Sequence, residues 1–117
     1  MHDFRRLIVW ERARDLALVT YRLTESFPVR ERYGRTAQMW RAAVSVANIA
    51  ESCGMRIARH QARFLISAFG SASALDCEAE LACDLRYLGP SDRDALAAQL
   101  SELRRMLTAL IRRNSAL

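Results

Sequence analysis

The sequence predicts an all-α protein, an antiparallel up-down-up-down four-helix bundle. Three observations predict it. Apolar residues recur at spacings of three and four in four separate segments, no segment alternates apolar with polar as a half-buried strand does, and Pro28, Gly34, Gly54 and Gly89-Pro90 divide the segments with short connectors. The 117 residues leave room for one domain, 1–117. With 51% hydrophobic and 26% charged residues and only four Gly and two Pro, the composition is that of a globular protein, not a disordered tail.

The first helix is expected over Ile8 to Ser26, with Trp10, Ala13, Ala17, Tyr21 and Thr24 as its inward line and Leu16 and Leu23 alongside. Pro28 disfavours helical geometry at Phe27 and stops it. A polar connector, Val29 to Arg35, follows, and Thr36 is a candidate N-cap for a second helix that runs to Cys53. In that helix Gln38, Arg41, Ser45, Asn48 and Ser52 fall in one stripe roughly 80° wide, and apart from Glu51 the rest of the circumference is apolar or small. A helix on the surface of a monomer needs only about a 100° apolar face. The excess predicts that another subunit covers the outer side, with Trp40, Ala43, Val44, Ala47 and Ala50 at the contact.

A third helix is expected from Ala58 to Leu88, its core line being Leu65, Ala68, Ala72, Leu75, Ala79 and Ala82, ending on Leu85, Tyr87 and Leu88. Gly70 costs about 1 kcal/mol relative to Ala inside a helix, so it marks a close backbone contact, within the chain or between subunits. Ser91 with Asp94 resembles a capping box for the fourth helix, whose Leu96, Leu100, Leu103, Leu107 and Leu110 form a four-three-four-three seam. Arg112 and Arg113 close it where cations suit the helix dipole.

Charge narrows the partners. All 18 basic residues are Arg, the net charge is +5, and residues 1–63 carry 12 Arg against six acids while 64–117 carry six against seven. Arg5, Arg6, Arg12 and Arg14 begin the first helix, and Arg56, Arg59 and Arg63 follow the second turn. An antiparallel bundle brings these groups to one end. Arg30, Arg32 and Arg35 fall at the opposite end. Guanidinium forks suit phosphates, so these ten arginines are the candidate contacts to RNA or DNA, without sequence specificity from charge alone. A solvated basic face is the alternative.

Enzymatic signatures are missing. His2 and His60 have no Glu three residues before them, as di-iron bundles require, and no Gly-rich phosphate loop, Gly-x-Ser-x-Gly elbow or Cys-x-x-Cys occurs. Cys53, Cys77 and Cys83 have no metal-ligand spacing and read as reduced, small apolar residues. Asn48 and Glu51 read as a polar pair at a helix end. Ala50 and Gly54 have the offset of a helix-turn-helix turn, but a recognition helix would need apolar packing near His60 and Arg63, and the third helix is too long. No catalytic residue, cofactor or metal is expected. Neither is membrane contact: charges interrupt every window of ~20 residues, and Met1 to Trp10 lacks a leader's hydrophobic stretch. The expected location is the cytoplasm.

Asp3-Phe4-Arg5-Arg6-Leu7 with Val9-Trp10, the connector from Phe27-Pro28 to Tyr33-Gly34, and above all Arg41-Ala42-Ala43-Val44-Ser45-Val46-Ala47-Asn48-Ile49-Ala50-Glu51 resemble the four-helix-bundle proteins encoded in intervening sequences of large-subunit ribosomal RNA genes. Phe64-Leu65, Ala68, Gly70-Ser71, Leu75, Ala82, Asp84-Leu85 and Tyr87 fall in the register of that family's third helix. Val46 and Ala47 alone precede Asn48, one residue fewer than is usual, and Ser52 stands for a Gly. The resemblance extends to the accessory protein of diversity-generating retroelements, a homopentameric barrel that binds nucleic acid and a reverse transcriptase. It implies a non-enzymatic, homo-oligomeric nucleic-acid-binding bundle, pentameric by that analogy. The alternatives are an oligomeric protein-interaction scaffold without nucleic acid and, more remotely, a helical enzyme holding a carboxylated metabolite on interior Arg.

Overall fold

The computed structural model describes residues 4–53 and 58–115, with side chains from 8 to 48 and from 62 to 113. Four α-helices carry the chain: α1 (Phe4–Thr24), α2 (Arg35–Cys53), α3 (Ala58–Asp84) and α4 (Pro90–Ser115). Among the described residues there is no strand. Each helix packs on its sequence neighbours and α1 closes the ring against α4. Contacts between partners fix direction: α2 residues 35 and 45 meet α3 residues 78 and 71, and α3 residues 76 and 80 meet α4 residues 104 and 93. One number rises as the other falls, so those pairs run antiparallel. The body measures 46 × 23 × 18 Å, its long dimension set by the 26- and 27-residue helices.

The core follows from residue size. α4 supplies Leu96, Leu100, Leu103, Leu107 and Leu110, while α2 and α3 supply Ala43, Ala68, Ala72, Ala79 and Ala82 between Met39, Val46, Leu65 and Leu75, all buried. Small residues on one side let the backbones approach until the leucines fill the space. Burying each leucine contributes about 1.5–3 kcal/mol.

α1 departs from its expected facing. Its buried line is Val9, Ala13, Leu16, Thr20 and Thr24, whereas Tyr21 is exposed and Trp10 and Ala17 are half-buried. The two threonines tolerate burial because their hydroxyls donate to main-chain carbonyls one turn back, Thr20 Oγ1 to Leu16 O at 2.8 Å and Thr24 Oγ1 to Thr20 O at 2.9 Å. Helix α1 also begins earlier than expected, at Phe4.

The ends differ too. A 3₁₀ turn, Val29–Glu31, occupies the first connector. Glu31, not Thr36, caps α2: the Arg35 backbone N–H donates to Glu31 Oε1 at 3.1 Å, and Thr36 is buried. Gly34 leaves room for that carboxylate, since a Cβ there would stand 2.8 Å from Glu31 Oε1. Helix α3 stops at Asp84, short of Leu88, because Arg86 takes a left-handed conformation with φ 65°. The N–H groups of Arg86 and Tyr87 donate to the carbonyls of Cys83 and Ala82, a Schellman ending that usually places Gly where Arg86 stands. Leu88 still reaches the core from the turn, while Leu85 is exposed. Helix α4 starts at Pro90, whose missing N–H costs nothing in a first turn.

Candidate nucleic-acid interface

The topology sorts charge along the long axis. α1 N-terminus, α2 C-terminus, α3 N-terminus and α4 C-terminus share one end. With each helix divided at its midpoint, that half holds ten arginines among the described residues (5, 6, 12, 14, 59, 63, 104, 105, 112 and 113) against two acids, Glu11 and Glu51. The half containing the first and third connectors holds seven arginines against ten acids. Sequence halves had shown only a milder contrast.

Individual side chains refine the picture. Arg63 is exposed. Arg12 Nη1 lies 2.6 Å from Glu102 Oε1, with both side chains about half exposed, a pairing that water screens. The Arg14 guanidinium sits 5.2 Å from the Trp10 ring centroid. Arg5 and Arg6 occupy the first turn of α1 and Arg59 that of α3, with side chains outside the described set; Arg56 lies outside the described residues.

At the connector end Arg32 is exposed and Arg30 lies over Tyr87, its Nη2 donating to the phenol oxygen at 3.4 Å. Arg35 is engaged within the protomer. Its Nη1 bonds Glu78 Oε2 at 2.7 Å between α2 and α3, and that hydrogen bond, reinforced by the carboxylate's charge, raises its pKa. The guanidinium is held between two helices of the bundle. Glu31 is held below the ordinary carboxylate value, first by the Arg35 N–H and then by a hydrogen bond from Tyr87.

Sequence reasoning passed over Arg104, Arg105, Arg112 and Arg113 as binding candidates. Arg112 and Arg113 were assigned to the dipole of their own helix, yet antiparallel topology returns the end of α4 to the beginning of α1. Arg104, Arg105 and Arg112 line a depression of about 490 Å³ with Phe69, Ser101, Thr108 and Ala109. Arg104 is tied to Asp76 at 3.1 Å; Arg105 and Arg112 are exposed.

The expected subunit contact divides. Trp40 and Val44 are exposed and Ala47 is half-buried on the outer side of α2. Trp40 stacks on Tyr21 with centroids 4.5 Å apart and donates its indole N–H to Thr24 Oγ1 at 2.7 Å. Tyr21, displaced from the α1 core line, therefore joins the outer face of α2 in one apolar edge. Ala43 is a correction: at 1% exposure it belongs to the protomer's own core, because it lies on the Met39–Val46 line. The side chain of Ala50 is outside the described set. Gly70 is exposed with nothing within 4 Å of where its Cβ would be, so among the described residues the close contact expected within the chain is absent.

A model of the 23S rRNA-intervening sequence protein family matches residues 5–109. The chain belongs to that family. Among curated proteins no significant match is found. The match spans all four helices of this 23S rRNA-intervening sequence protein and ends six residues before the end of α4. Of the Asn48-Ile49-Ala50-Glu51 segment, Asn48 is exposed and the other three side chains lie outside the described set. Among the described residues no group of His, Cys, Asp and Glu could hold a metal ion, and no helix is long and apolar enough to cross a membrane. Cys77 and Cys83 are free thiols.

Proposed function

We propose that this chain is a non-enzymatic, cytoplasmic homo-oligomer that binds RNA or DNA by its phosphates. The observation that carries the reading is the arginine-rich half, ten arginines against two acids. Such a field attracts polyanions over a Debye length and orients them toward one end of the bundle. Arg63, Arg105 and Arg112 are the side chains best placed to make the contacts, joined by Arg5, Arg6 and Arg59 at the helix starts. Arg30 and Arg32, in the acid-rich half, contribute little.

The apolar edge of Tyr21, Trp40 and Val44 supports association with further copies. A pentameric barrel is the assembly its resemblance to the retroelement accessory protein suggests. By the same analogy the partner is a reverse transcriptase; membership of the intervening-sequence family suggests ribosomal RNA instead. Neighbouring genes distinguish these settings. Titration of a fluorescent structured RNA and a matched DNA duplex at two salt concentrations tests the core of the proposal. Micromolar or tighter binding that weakens steeply with salt is expected. No binding at low salt would leave an oligomeric scaffold whose arginines serve solvation.

A further inference from the structure

The basic half contains an apolar feature that phosphate binding does not use. Ile66 is 57% exposed on α3, beside half-buried Phe69, and across the α3–α4 groove stand Thr108 and Ile111. These four and Arg112 line a shallow, open depression of about 280 Å³ whose surface is almost wholly apolar. It runs into the arginine-lined depression through Phe69, Thr108 and Arg112. No acid lines either depression.

Arg105 and Arg112 are two helical turns apart, about 10.5 Å along α4, with Thr108 and Ile111 between them. A floor of this kind has no use for a duplex, which shows the protein phosphates and sugars and keeps its base faces stacked inside. A ligand with anionic groups on both sides of a flat apolar body uses every part of it. An amphipathic helix would need an anchor row of i, i+3 or i+4, and i+7, whereas the apolar floor advances only three residues on each helix. One nucleobase is of that length.

We propose that the α3–α4 groove binds an unpaired nucleotide, with the base against Phe69 and Ile66 and the flanking phosphates on Arg105 and Arg112. This rests on the nucleic-acid reading above and adds a preference for single strands over duplex. Base contacts with an aromatic face are tolerant of sequence, so the preference is for strandedness, not for a base.

The test is fluorescence anisotropy on the full chain with a 5′-labelled oligo-uridine and a blunt RNA duplex of equal length, at one low salt concentration. Phe69→Leu removes the ring while keeping an apolar side chain in the packing, and is expected to weaken the single strand about tenfold with the duplex changed less than about twofold. Ile66→Trp, at an exposed position, widens the flat surface. It is expected to tighten the single strand about threefold, with its indole fluorescence quenched on binding. Arg105→Glu with Arg112→Glu weakens both probes. Equal responses of the two probes to Phe69→Leu and Ile66→Trp would overturn the groove assignment while leaving phosphate binding intact. Wild-type binding to the duplex but not to the single strand would do the same. Binding of neither probe would remove both proposals. Failure of Ile66→Trp to respond, together with capture of a Glu-flanked amphipathic peptide that Phe69→Leu abolishes, would assign the groove to a protein helix instead.

Discussion

In the connector half of the bundle, three arginines are built into the structure. Arg35 bonds Glu78 between α2 and α3, Arg93 reaches Glu80 and Asp94, and Arg30 lies on Tyr87. In the other half, Arg63, Arg105 and Arg112 face solvent on surfaces with few acids. One residue type thus serves two purposes, decided by whether the topology brings a carboxylate opposite. Net charge is therefore a weak guide to a binding surface, and the distribution of acids is the better one.

The largest separation of the halves comes from charge reversal. Arg63→Glu with Arg105→Glu and Arg112→Glu should lower RNA affinity at low salt by about a hundredfold or more, while Arg30→Glu with Arg32→Glu should lower it by less than about threefold. Binding isotherms for the two variants check this. Comparable losses would erase the distinction.

The proposed association uses the outer face of α2, not either end. Val44→Glu, at an exposed position, should convert the oligomer to monomers in light scattering while leaving the helical signal unchanged. At the connector end, Glu78→Ala should destabilise the protein by roughly 1 kcal/mol in denaturant melts without altering RNA binding, because Arg35 is partly shielded and left unpaired. Arg86→Gly should stabilise by about 0.5–1 kcal/mol, since Gly relieves the left-handed φ of 65°. The smallest effect is one of pH. Glu31 has a folded pKa below the ordinary 4.5, so its stabilising contribution is present above that value and is lost as pH falls toward the lowered one. Melting temperatures followed down to about pH 3 should fall less for Glu31→Gln than for wild type.

Much of this architecture was legible in the sequence. Leu65, Ala68, Ala72, Leu75, Ala79 and Ala82 on α3, and the leucine seam of α4, are buried as their periodicity predicts, because each line has no apolar rival on its helix. Helix α1 offered two lines. The two share Ala13 and Thr24, but Trp10, Ala17 and Tyr21 look more apolar than Thr20, whose burial is made tolerable by a main-chain acceptor one turn back. The Arg35 ion pair was not legible for a related reason. Glu78 lies 43 residues away on another helix, a distance at which sequence spacing carries no information. Arg105 and Arg112 joined the candidate surface only when the ring of helices placed the end of α4 beside the starts of α1 and α3.

The salt dependence of RNA binding, measured side by side for wild type and Arg63→Glu/Arg105→Glu/Arg112→Glu, reads out whether the arginine-rich half meets phosphates. If the arginine-rich half contacts phosphates, log affinity should fall linearly with log salt for wild type, with a slope steeper than the variant's by about two to three. Equal slopes in the two proteins would contradict the account and place any bound nucleic acid elsewhere.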